Sequence, residues 1–159
     1  MADQKTSQLT ETTTLADADM FYLSQGGSSD KKISGVTIKN LSPNTPTAVF
    51  GDGNDVASLE AGLTCFVRVP YGGTIREWTL VADATTTCVL DVWKAAGSLP
   101  TNSDSITAAA KPGLTAATVG GSTSLGTWTT TVTSGDVFGF ELESFTGSPT
   151  QITLTLRVA

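Results

Sequence analysis

"TIREWTLVADATTTCVLDVWK", residues 74–94, decides the fold class. Side chains on a strand alternate between its two faces. Regular alternation sets Arg76, Trp78 and Leu80 opposite Ile75, Glu77, Thr79 and Val81, and sets Cys88, Leu90 and Val92 opposite Val89, Asp91 and Trp93. The stretch therefore reads as two strands, 74–82 and 87–94, joined by "ADATT" (82–86) as a turn.

The same period recurs on both sides. "LTCFVRVP" (63–70) sets Leu63, Cys65, Val67 and Val69 against Thr64, Phe66 and Arg68; "QITLTLRV" (151–158) sets Ile152, Leu154, Leu156 and Val158 against Thr153, Thr155 and Arg157. "DVFGFELESF" (136–145) sets Phe138, Phe140 and Leu142 against Val137, Glu141 and Glu143, and "SLGTWTTTV" (124–132) reads as a further strand. "YGG" after Pro70 and "TSGD" (133–136) supply turns. Strands divided by Gly, Pro and Asp turns, without a convincing amphipathic helix, predict an all-β chain. The expected architecture is an antiparallel β-sandwich, jelly-roll-like, with a short N-terminal hairpin or arm.

That arm occupies residues 1–42. "MFYLSQ" (20–25) and residues 31–34 flank Gly26-Gly27, whose freedom at positive φ suits a hairpin turn. A hairpin this small is marginal alone and needs a surface to pack on. "SPNTPTAVFGDGNDVAS" (42–58) has the Pro, Gly, Asn and Asp content of a linker, although "TAVF" also fits a first strand of the β region beyond it. The expected organisation is an arm over 1–42, a linker over 43–58 and the sandwich over 59–159.

Charge narrows the partners. The net charge is −6, with only 15% charged residues against about 25% in typical domains, so Thr, Ser, Gly and Asn must cover much of the surface. An acidic chain without a basic stripe is not expected to bind nucleic acid. No hydrophobic signal region or long apolar run is visible, so neither secretion nor membrane insertion is expected.

The chain contains no histidine, which removes the commonest general base, the usual Ser and Cys triads and most zinc sites. No cofactor and no metal are expected. Cys65 and Cys88 lack metal-knuckle spacing and read either as paired core thiols or as a disulfide.

Several small constellations invite a chemical reading. Ser28 and Lys31 have the SxxK spacing of serine acyl-enzymes but lie in a Gly-Gly turn rather than at a helix start. Asp52, Asn54 and Asp55 resemble half of a calcium loop, which Glu60 is poorly placed to complete, and they fit an Asx-rich turn. Asn40-Leu41-Ser42 is a glycosylation sequon only if the chain is secreted. Glu141 and Glu143 share one strand face, as a solvated pair or as a candidate glycosidase pair.

Trp78 reads as core, while Trp93 shares its face with Asp91 and is the better candidate for exposure or a subunit contact. Asp91 and Lys94 fall on opposite faces and do not meet; Asp104 and Ser105 read as a capping group. Trp93, Lys94, Asn102 and Asp104 are the candidate ligand or subunit contacts.

Two parts of the chain resemble tailed-bacteriophage virion proteins. "SQLTETTTLADADMFYLSQGGSSDKKISGVTIKNL" is similar to a module near the ends of phage fibre and appendage proteins, through Leu9, Leu15, Asp19, Gln25, Gly26, Lys31, Lys32, Ile33 and Leu41. Thr10 stands where that module usually has proline. "WTLVAD", "VLDVWK", "PTNSDSIT", "KPGLTAA", "LGTWTTTVTSGDVFGFELES" and "ITLTLRV" match, in order, the pattern of a β domain of phage tail and virion-surface proteins.

The resemblance implies a non-enzymatic virion-surface component, assembled in the host cytoplasm, commonly homotrimeric and without a cofactor. Expected partners are other virion proteins of capsid or tail, with host surface glycan as a further one. Leu9, Leu15, Phe21, Tyr22 and Ile33 are the candidate particle-docking residues. Shortness favours a head-decoration or head-fibre protein over a short tail-fibre or adhesin subunit that binds glycan through loops such as 94–112. An enzyme would instead need Asp91, Asp104, Glu141 and Glu143 gathered in a groove.

Overall fold

The computed structural model describes residues 44–55 and 59–159 in full and residues 20–23 and 31–34 as backbone. The chain divides into two compact units, Met1–Ser42 and Pro43–Ala159. In the first, β1 (Met20–Leu23) and β2 (Lys31–Ser34) pair antiparallel, with Phe21 opposite Ile33 and Tyr22 opposite Lys32. Leu9 and Leu15, Ser28 and the sequon at Asn40 lie outside the described residues.

The second unit is an all-β, antiparallel fold. Its strands are β3 (Thr47–Phe50), β4 (Leu63–Arg68), β5 (Gly73–Ala96), β6 (Gly113–Ser122), β7 (Thr131–Val132), β8 (Asp136–Gly147) and β9 (Ile152–Val158). Across the sheet the order is β3-β9-β5-β8-β4, with β6 and β7 also paired to β5. The end strands β3 and β4 approach each other, so the sheet is nearly closed into a barrel.

The stretch over 74–94 lies within one strand. The early part of β5 pairs with β9, from Ile75 with Val158 to Ala82 with Ile152; the later part pairs with β8, from Thr86 with Gly147 to Ala96 with Asp136. The expected turn at 82–86 is a bend inside β5. "ADATT" holds neither Gly nor Pro, and its threonines favour extended backbone, so nothing there makes the chain reverse. A register shift against β6 between Val81 and Thr86 absorbs the curvature, as bulges do where a strand turns a corner. The bend is pinned by the buried Thr86 hydroxyl, which donates to the Thr146 carbonyl at 2.6 Å.

Alternation holds along most of the strand. Trp78, Leu80, Ala82, Cys88, Leu90 and Val92 all enter the core. It fails at the beginning, where a bulge between Ile75 and Glu77 buries Ile75 and leaves Arg76 exposed. Regular alternation sets Ile75 opposite Trp78 and Leu80; the extra residue brings it to their side.

Two other segments depart from the expected pattern. The run 124–132 is a strand only at β7, because the chain turns where the Trp128 N–H donates to the Leu125 carbonyl at 3.0 Å. In its place β6 forms from "GLTAATVGGS", a segment with little apolar alternation. Its glycines permit close pairing: a Cβ on Gly113 would lie 2.7 Å from the Cys88 carbonyl oxygen, and one on Gly121 2.8 Å from that of Trp78. "TAVF", inside the stretch with linker composition, is the sheet strand β3 and buries Ala48 and Phe50. Four residues are too few for alternation to outweigh the Pro and Gly around them.

The thiols are free. Cys65 is registered with Phe140 and Cys88 with Phe145, five positions further along β8 and on its other side. They are therefore offset by roughly 16 Å along the strands, at about 3.3 Å per residue, and by two strand spacings of about 4.8 Å across them. A disulfide needs Cα atoms within about 7 Å, so the pair cannot close within one chain. Burial raises the Cys88 thiol above its usual range.

Candidate functional site

The segment from 97 to 112 carries β5 across to β6 and roofs the outer side of late β5. It runs along the edge of β5 away from β8: the Ile106 N–H donates to the Val92 carbonyl and the Leu90 N–H to the Pro112 carbonyl, each at 2.9 Å. A single 3-10 turn at Asn102–Asp104 starts it, capped by Asp104 Oδ2, which accepts from the Thr101 N–H at 2.8 Å. The Trp128 indole N–H donates to the Ala110 carbonyl at 2.8 Å and ties down the far end.

That path decides the fate of Asp91. It alternates out of the core, yet it is 3% exposed because Ser105 and Thr107 lie over it. Its Oδ1 accepts from the Val92 N–H at 2.8 Å, the Ser105 hydroxyl at 2.7 Å and the Thr107 hydroxyl at 2.6 Å. Oδ2 lies 3.1 Å from Lys111 Nζ, and Lys111 also pairs with Glu143. Burial pushes the Asp91 carboxyl upward, but the Thr107, Ser105 and Lys111 contacts outweigh it and hold the group below the usual carboxylate range.

Glu141 stands directly across the ladder from Asp91. Burial first, then the charges of Glu143 and Asp91, raise its carboxyl above the usual range. The hydrogen bond to Glu143 leads the contributions that raise Lys111. Together these groups border a cavity of about 570 Å³, with Gly62 and Asn102 on its walls.

The three carboxylates offer oxygens within 4.8 Å of one another, a donor set suited to a hard cation. The Lys111 ammonium already sits on two of them, so a metal would have to displace it. The cluster balances three potential negative charges with one fixed positive charge and fastens the crossing segment to the sheet. Asp104 is absent from it, being engaged by its own turn.

Lys94 points elsewhere. Its Nζ lies 2.9 Å from Asp136 Oδ2, and Asp136 also accepts from the Thr133 N–H to close the 133–136 turn. Arg68 and Ser134 line a second cavity there, of about 420 Å³. Asp91 and Lys94 thus belong to separate ion pairs, as their alternation requires.

Trp93 is buried, at 6% exposure, rather than presented as an outward contact. It does share the face of Asp91, but the crossing segment covers that face and Pro100 packs beside it at Gly139. Its indole nitrogen finds no hydrogen-bond partner. Asn102 and Asp104 are exposed, and the exposed aromatic on this half is Phe66, at 42%. Asp52 makes an Asx turn, its Oδ1 accepting from the Asn54 and Asp55 N–H groups at 2.9 and 3.1 Å.

The Lys111 contribution escaped the sequence reading because it depends on a segment folding back over the strand that precedes it. The available signal was Ser105 and Thr107 alternating beside a lysine just before Pro112. The chain matches no protein-family model, no curated protein and no solved structure.

Proposed function

We propose that this chain is a non-enzymatic structural protein of a tailed-phage virion. The Met1–Ser42 unit anchors it to the particle, and Pro43–Ala159 is displayed outside as a trimer, of the head-decoration or head-fibre type. The observation that carries this reading is the division at Ser42. The described part of the smaller unit is one pair of four-residue strands, Phe21 and Tyr22 on one and Ile33 on the other, and a pair that short is marginal without a further surface. The larger unit owns a core of its own.

The carboxylate cluster supports a structural role for the 97–112 segment. An ammonium group on Asp91 and Glu143 holds the charges that hydrolysis would need free. A short tail-fibre or adhesin subunit is the second reading, favoured by the exposed Phe66 ring, a stacking surface for sugar.

Imaging intact particles by electron microscopy tests the assignment by location and copy number. Hundreds of copies over the shell fit decoration, and tens or fewer on the tail fit the adhesin reading. Particles assembled with a chain lacking residues 1–42 should carry none of it. Normal incorporation would remove the anchoring role, and sugar cleavage abolished by Glu141→Ala in a folded protein would establish an enzyme instead.

A further inference from the structure

Val49, Val81 and Val119 are three of the five large apolar side chains left exposed among the described residues, at 50, 48 and 66%. They fall in one row. β3 pairs Val49 with Thr153, β5 pairs Thr153 with Val81, and β6 pairs Val81 with Val119, so the row crosses four neighbouring strands. The next row is Thr47, Thr155, Thr79 and Gly121, and the hydroxyls of Thr47 and Thr155 bond each other at 3.1 Å.

Charge is absent from both rows. At one end Glu77 and Arg157 neutralise each other at 3.0 Å; at the other the Asp83 carboxylate accepts from the Thr150 and Gln151 N–H groups. The outer side of the β4-β8-β5 half carries Arg68, Asp91, Lys111, Glu141 and Glu143 instead. Two copies of a chain with net charge −6 repel each other, least where they meet through an uncharged face.

We propose that this Val/Thr face is the contact between copies of the chain. Three copies turn it toward a threefold axis, with Val81 nearest the axis and the Val49 side of one copy against the Val119 side of the next. This rests on the trimeric reading above and assigns its surface. A cyclic trimer needs two different patches in contact, and the two ends of one row provide them.

The area sets the strength. Four strands about 4.8 Å apart and two rows with their margins give roughly 400 Å² per copy. A cyclic trimer divides that area between two contacts, and a stable interface typically buries about 800 Å² per partner, so a trimer held by this face alone is weak and dissociates on dilution.

Light scattering on the full chain, eluted from a sizing column over a range of concentrations, tests the surface. The wild type is expected to be a trimer. Val81→Glu should raise the concentration of half-dissociation by about tenfold or more, with an unchanged far-ultraviolet spectrum. Val119→Glu, at the most exposed position of the row, repeats the test if Val81→Glu does not fold. Leu99→Glu, on the crossing segment, should remain trimeric. A trimer undisturbed by both valine changes would overturn this surface and leave the trimeric reading standing. A wild type monomeric at every concentration would overturn both, and a dimer would overturn the threefold arrangement.

Discussion

Asp91 is the acceptor on which the crossing segment hangs. Thr107, fully buried, loses its 2.6 Å acceptor if the carboxylate is removed and keeps only the Ser105 hydroxyl at 3.3 Å, while Lys111, with a side chain 30% exposed, keeps Glu143 and water. Losing a buried hydrogen bond to a charged acceptor costs about 1.5–3 kcal/mol, and losing one partner of the partly exposed Lys111 adds up to about 1 kcal/mol. Asp91→Ala is therefore expected to lower unfolding stability by about 3 kcal/mol in urea titrations. Asp91→Asn keeps an oxygen for Ser105 and Thr107 and loses the charge alone, for about 1 kcal/mol. Equal losses in the two variants would show that charge, not hydroxyl acceptance, holds the segment.

Strands β4, β8 and β5 meet at a crowded row outside the core. Phe66, Gly139 and Trp93 are registered across it, and a Cβ on Gly139 would lie 3.0 Å from Trp93, 3.1 Å from Pro100 and 3.2 Å from Phe66. Trp93 and Pro100 are both buried, so only Phe66 has room to move. Overpacking costs about 1–3 kcal/mol, offset in part by the lower chain entropy of alanine in the unfolded state. Gly139→Ala should lower the denaturation midpoint by an amount equivalent to about 1 kcal/mol, and by clearly less in a Phe66→Ala background. A loss unchanged in that background would place the strain on Trp93 and Pro100 alone.

The response of the whole molecule to pH comes from carboxyls shifted in opposite directions. Asp91 and Asp136 are held below the usual range, so each stabilises the fold above its unfolded pKa and loses that contribution as pH falls through its folded pKa. Glu141 is raised, so its contribution is complete below its unfolded pKa and is lost as pH rises through its folded one. At neutral pH its charge faces Asp91 and Glu143. Glu141→Gln should raise the melting temperature at pH 7, by roughly 0.2–1 kcal/mol of stability, with the gain fading toward pH 4. A melting temperature unchanged at pH 7 would mean that Lys111 already cancels the repulsion.

The all-β character was legible because burial on one face imposes a period of two, visible in "QITLTLRV" and "VLDVWK" before any partner strand is known. The absence of histidine and the −6 charge likewise narrowed the chemistry without coordinates. Continuity was not legible. Whether "ADATT" turns or bends depends on β8, β9 and β6 pairing along both halves of β5, and strand pairing is a contact between distant residues. For the same reason "GLTAATVGGS" became a strand through its neighbour's backbone, Trp93 was covered by a segment later in the chain, and Asp91 acquired Lys111. Sequence periodicity records which face of a strand is apolar; only the tertiary fold decided what lies over the other face.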